Sequence, residues 1–154
     1  MNLTAREAVL IGSLIGPMQV AGRIAEFVVG ARLHPLTVGT LAFATLVLSL
    51  ALLTQVGGLS PVAFAFAVLY GWSAGILTIV RGTVPAELFG RHGYGALLGA
   101  LAQPQFFAKA IAPAAFTIAL GARSPQPVAR YVLVAIAVAA LLAYELAVAG
   151  RRAS

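Results

Sequence analysis

The chain has 154 residues, 61% of them hydrophobic and 9% charged, with a mean hydropathy of +0.99. A soluble domain carries about 25% charged residues, and a chain this short has too little interior to hide such an apolar excess, so lipid must be its solvent. The formal charge of +6 is scattered singly between apolar runs, with no stripe to track phosphates, which excludes a nucleic-acid partner; the absence of Cys excludes disulfides, thiolate metal sites and a cysteine nucleophile.

The first apolar run covers residues 8–29 and contains Gly12, Gly16 and Pro17, with Arg23 and Glu26 near its far end. Arg6 is offset by Glu7, and the run is long and broken by glycine and proline, which favours a membrane helix over a cleaved signal peptide. Arg32-Leu33-His34-Pro35 separates it from a second run, 36–56, which has no charge. Gly57-Gly58-Leu59-Ser60-Pro61 reads as a tight hairpin, with Ser60 as N-cap and Pro61 as the first helical residue of a third run, 61–80. The mixed stretch Arg81–Tyr94, with Glu87, Arg91 and His92, reads as a connection. A fourth run, 95–120, is interrupted by Pro104, Lys109 and Pro113. Gly121 to Arg130, containing Ser124-Pro125-Gln126-Pro127, links it to a fifth run, 131–150, with Glu145 near its end. At 1.5 Å rise per residue, about 20 residues match a hydrocarbon layer of about 30 Å. The expected fold is therefore all-α: a single transmembrane domain of about five helices in the lipid bilayer.

Arginine placement sets the expected orientation. With five spans, one side receives Arg23, Arg32, Arg81, Arg91, Arg151 and Arg152, and the other Arg6, Arg123 and Arg130. The excess puts the C-terminus in the cytoplasm and the N-terminus outside. Nine of the ten cations are Arg and Ala is abundant, a bias of GC-rich bacterial genomes, so the expected location is the bacterial inner (plasma) membrane.

Lys109 is the most informative position, near the middle of its run. A cation at that depth costs at least about 2.5–3.5 kcal/mol unless it faces a cavity or a partner. Pro113 has no N–H for the carbonyl of Lys109, and Pro104 frees the carbonyl of Ala100. Free backbone acceptors beside a cation, with Gln103 and Gln105 one turn away, describe the wall of a substrate or ion pathway; the plainer alternative is a span that starts near Phe106 and leaves Lys109 among the headgroups. Tyr70 and Trp72 sit in mid-run, away from the interfaces where such rings collect, and face either a cavity or a neighbouring helix. Arg23 and Glu26 share a helix face and form either an interfacial pair or, with Arg81 or Arg91, a cytoplasmic latch. The spacings Gly12/Gly16, Gly71/Gly75 and Gly95/Gly99 permit close helix approach.

Catalytic chemistry is not encoded. Serines stand without a partnering base and acid, no phosphate-binding G-x-x-x-x-G-K-[ST] run exists, and His34 and His92 lie apart without ligand-like neighbours. The expectation is no enzyme, no metal and no cofactor.

Gly22-Arg-Ile-Ala-Glu26-Phe-Val-Val-Gly30-Ala-Arg32 resembles the cytoplasmic loop motif of the major facilitator superfamily (MFS) of transporters. Gly22 stands for its first glycine, Glu26 for its acid and Arg32 for its basic end, with Arg23 and Gly30 between; the acid is Glu where the family has Asp, and Gly30 is one residue late. Gly16-Pro17-Met-Gln-Val-Ala-Gly22-Arg23, Leu77-Thr-Ile-Val-Arg81-Gly-Thr and Phe89-Gly-Arg91-His-Gly-Tyr94-Gly are similar to the C-terminal half of bacterial members. The resemblance implies that the five spans correspond to helices eight to twelve of twelve. The chain is then a truncated or partial secondary active transporter of a small solute, its partner the missing N-terminal half. The alternative from a different class is a small structural or partner-binding membrane subunit, with Lys109 paired to an acid of another protein.

Overall fold

Three of the helices start where the sequence supplies a cap. At the first, Thr4 and Glu7 form a reciprocal capping box: the Glu7 N–H donates to Thr4 Oγ1 at 3.3 Å and the Thr4 N–H donates to Glu7 Oε2 at 2.8 Å. At the second, the Leu36 N–H donates to His34 Nδ1 at 3.3 Å, with Pro35 in the first turn. At the third, Ser60 Oγ accepts from the Ala63 N–H at 3.4 Å, and Pro61 opens the helix as expected. The resulting computed structural model describes residues 4–56, 60–90, 92–120 and 126–153. Its helices are α1 (Ala5–Val29), α2 (Pro35–Gln55), α3 (Pro61–Phe89), α4 (Tyr94–Leu120) and α5 (Gln126–Ala153), with a 3-10 turn, Gly30–Arg32, between α1 and α2. The described residues are otherwise connections, and none forms a strand. The Gly57–Leu59 hairpin tip and the 121–125 part of the last linker lie outside the described residues.

The largest departure from expectation is the length of α3. Residues 81–89, read above as connection, continue the helix to 29 residues. Charged side chains do not end a helix, and here a backbone switch does: Gly90 adopts φ +78° and Gly93 φ +67°, the left-handed region that only glycine enters without cost. Pro85 lies inside α3 and leaves the Arg81 carbonyl without its helical donor. The neighbouring Gly82 carbonyl accepts from the Tyr94 hydroxyl at 2.7 Å, which ties the start of α4 back to this weakened turn.

Among the described residues, four helices are long and apolar enough to cross a membrane: Ala5–Val28, Pro35–Gln55, Pro61–Phe89 and Val128–Gly150. The chain is a multi-pass membrane protein on that basis. α4 is 27 residues long, but with Gln103, Pro104, Gln105 and Lys109 in mid-helix it is not among these four.

α3 is the centre of the packing. α1 lies against it, α2 lies against it, α5 packs on α2, and α4 touches it only sparsely. Between α1 and α3 the backbones meet. A side chain at Gly71 would stand 2.6 Å from the Ile15 carbonyl oxygen and from Met18 Cβ, one at Gly75 would overlap the Gln19 backbone, and one at Gly22 the Trp72 backbone. The Gly71/Gly75 spacing is thus a packing notch, whereas Gly12/Gly16 and Gly95/Gly99 have open space beside them. Between α2 and α3, the buried Ser73 hydroxyl donates to the Ala42 carbonyl at 2.8 Å. Leu36, Val38 and Ala42 of α2, Leu77, Val80 and Val84 of α3 and Val148 of α5 form one apolar cluster. Ile11, Val56, Ala63 and Ala67 form a second.

Candidate functional site

α4 stays helical through Pro104 and Pro113. Leu98, Leu101, Ala102 and Gln105 recur on its surface at helical spacing and line a cleft of about 620 Å³ together with Phe43 and Leu46 of α2, Arg81 of α3 and Tyr144 of α5. The same stripe reaches Lys109 one turn later. Lys109 is exposed, and its Nζ lies 5.8 Å from the centroid of the Phe106 ring on its own helix. Gln103 is also exposed.

The aromatic candidates lie elsewhere. Trp72 lines a different cleft, of about 410 Å³, between α1, α2 and α3, with Glu26, Gly30, Leu41, Thr45 and Ile76. Tyr70 is half-buried against Phe66 of its own helix, ring centroids 5.6 Å apart, and lines neither of these clefts. The five pathway candidates therefore do not converge on one site: Gln105 belongs to one cleft and Trp72 to another.

The loop-motif residues divide in the same way. Gly22 is the buried contact to Trp72, and Arg23 and Arg32 are exposed. Glu26 is half-buried with its carboxylate folded beside Gly30, and among the described residues it makes no ion pair. The latch from Glu26 to Arg81 is not formed. Arg81 lines the cleft beside α4, whereas Glu26 lines the one beside Trp72 and Ile76, so the two groups address different faces of α3. Arg91 lies outside the described residues. A different pair joins these elements: His34, at the start of α2, places Nε2 3.6 Å from Glu87 Oε1 near the end of α3. Because His34 Nδ1 accepts the Leu36 N–H, Nε2 is the nitrogen that holds a proton toward the carboxylate.

The most developed polar geometry is the seam between α2 and α5, which the sequence reading passed over. The Tyr144 ring sits over Gly39, 5.1 Å from the Phe43 ring, and its hydroxyl donates to the Leu36 carbonyl at 2.8 Å. Beside it, the Thr40 hydroxyl donates to Glu145 Oε1 at 2.6 Å. At the other end of the seam, Arg130 Nη1 lies within reach of three carbonyls at the end of α2: Leu53 and Thr54 at 3.3 Å and Val56 at 3.0 Å. The Leu53 carbonyl also accepts the Val56 N–H at 3.3 Å, and a cation at a helix C-terminus adds a donor where the helix runs out of its own. Two signals point here. One is a glutamate five residues inside an apolar run; the other is the pair Gly39-Thr40 in an uncharged run. Their partners lie more than 70 positions away in sequence, so no local pattern pairs them.

Among the described residues, no group of three His, Cys, Asp or Glu side chains gathers in a way that would hold a metal ion. No family model matches the chain, and neither a curated protein nor a solved structure matches it significantly.

Proposed function

We propose that this chain is part of an MFS-type secondary active transporter of a small solute, working with further transmembrane helices that cover α4. The observation that carries the reading is the polar stripe on α4. Gln105 lines the cleft, and Lys109 follows on the same stripe, exposed where α4 leaves the bundle. An ionisable side chain within a membrane helix is retained when it faces a water-filled pathway or a partner, so Lys109 is assigned to an anionic group of the solute or to an acid on a covering helix. The resemblance of Gly22–Arg32 and of the segments around Arg81 and Tyr94 to the superfamily supports the same reading. With α4 as a fifth crossing, the arginine excess supports a cytoplasmic C-terminus and an external N-terminus in the bacterial inner membrane. Transport would be driven by an ion gradient, since no nucleotide-binding motif is present.

The test is uptake of a panel of labelled anionic and neutral solutes by cells that produce the chain from its native locus. A solute whose uptake depends on the chain is expected. Lys109→Ala should reduce its uptake at least tenfold, and Lys109→Arg should retain most of it. Uptake unchanged by Lys109→Ala removes the pathway assignment. A second reading, a partner-binding subunit without transport activity, draws on the open small-residue faces at Gly12/Gly16 and Gly95/Gly99. Stoichiometric co-purification with an unrelated membrane protein, with no solute flux dependent on the chain, would favour it.

A further inference from the structure

Glu145 is a carboxylate five residues inside the end of its span at Gly150, about 7.5 Å along the helix at 1.5 Å per residue. It is half-buried in the α2–α5 seam, and among the described residues no cation lies within ion-pair distance of it. A charge held this way costs free energy unless its lone pairs are satisfied or a proton neutralises it.

The groups around it suit both states. The elements that meet here are α5, which adds Tyr144, and α2, which adds Thr40. His34 at the start of α2 is turned toward Glu87 of α3, and the side chains of Arg151 and Arg152 beyond Gly150 lie outside the described residues. The Thr40 hydroxyl has one proton to give and lone pairs to receive another. It lies 2.6 Å from Glu145 Oε1 and 3.3 Å from the Leu36 carbonyl oxygen. The Leu36 carbonyl also accepts from Tyr144 at 2.8 Å, besides being the helical acceptor of the Thr40 N–H four residues on. The short Thr40–Glu145 distance suits either direction of donation between a hydroxyl and a carboxyl oxygen. If Glu145 takes a proton, it becomes the donor to Thr40 Oγ1, and the Thr40 hydroxyl turns back onto the Leu36 carbonyl 3.3 Å away, which it then shares with the Tyr144 hydroxyl and the helical Thr40 N–H. Every polar group then keeps a partner, and no helix has to move.

We propose that Glu145 and Thr40 form a reversible proton-binding site in the α2–α5 seam. The proton comes from water at the Gly150 end of α5, resides on the Glu145 carboxyl, and returns to water, leaving the carboxylate bonded by Thr40. This site stands on the seam geometry alone, whether or not the chain transports a solute, and its test does not use transport.

The test is infrared difference spectroscopy on the purified chain in liposomes across a pH series. A carbonyl stretch of a protonated, hydrogen-bonded carboxylic acid is expected to grow on acidification and to be lost in Glu145→Gln, with the bands of Glu7, Glu26 and Glu87 remaining. Thr40→Val should keep the band but shift it to higher frequency, because the hydrogen bond to the hydroxyl is gone; Thr40→Ser should leave it in place. The Thr40 variants retain Glu145, so they decide the matter even if Glu145→Gln fails to fold. A difference spectrum unaltered by Glu145→Gln overturns the site. So does a Glu145 band indifferent to Thr40→Val, which would mean a carboxyl titrating freely in solvent.

Discussion

α4 and α5 have nearly equal length, 27 and 28 residues, yet only one is held by its neighbours. α5 is bonded to α2 at both ends, by Arg130 on three carbonyls and by Tyr144 and Glu145 on Leu36 and Thr40. α4 is bonded to α3 through Tyr94 at its first residue and by few contacts beyond. Apolar residues are abundant in both, so apolarity does not explain the difference. In lipid, a leucine gains little by leaving acyl chains for another helix; close backbone approach and interhelical hydrogen bonds decide which helices pack. α1, α2, α3 and α5 have those features, whereas Gly95 and Gly99 of α4 face open space and Lys109 is exposed.

The comparison predicts its sharpest contrast at the glycines. Gly75→Ala places a methyl group on the Gln19 backbone, and overpacking of this kind costs about 1–3 kcal/mol; Gly75→Leu is expected to separate α1 from α3 altogether. Gly99→Ala meets open space and should be neutral or stabilise by about 0.5–1 kcal/mol through helix propensity. Reversible unfolding in mixed detergent micelles measures both. Equal losses at the two positions would mean that α4 is packed as tightly as α3.

The seam gives the next effects. Arg130→Gln removes the charged donor from the end of α2 and should cost about 1.5–3 kcal/mol, the range for hydrogen bonds to charged groups. Tyr144→Phe keeps the ring over Gly39 and loses only the bond to the Leu36 carbonyl, so about 1 kcal/mol is expected. The two losses should add, because they lie at opposite ends of the seam. A loss in Tyr144→Phe larger than in Arg130→Gln would place the strength of the seam at the Leu36 end instead.

Much of this architecture was legible in advance. Hydropathy placed five helices, and Ser60-Pro61 placed the start of α3 to the residue. What failed to be legible has specific causes. Hydropathy alone ends α3 at Val80, because the charges from Arg81 onward resemble a loop, whereas the helix runs to Phe89 and the terminating signal is the glycine pair Gly90 and Gly93. Three equivalent glycine spacings could not be ranked, since only the fold shows which one meets a backbone. The two sides of the seam carry their own signals, but Thr40 and Glu145 are 105 positions apart, so no local pattern joins them. Lys109 stands out in the sequence for its depth, yet the structure gives it only an exposed position and the Phe106 ring.

That last contrast gives the smallest expected effect and the most direct test of what α4 is for. Lys109→Leu alters a side chain whose one described aromatic contact is Phe106 on the same helix, so the unfolding free energy of the purified chain should change by no more than about 0.5 kcal/mol. Amide hydrogen exchange should show α4 opening before α1, α2, α3 and α5 in the same sample, since sparsely packed helices open at lower free energy. Protection of α4 that appears only in native membranes, and is lost there in Lys109→Leu, would show that the lysine meets its partner outside this bundle. Protection already equal to that of α5 in the purified chain would break the distinction between the two helices.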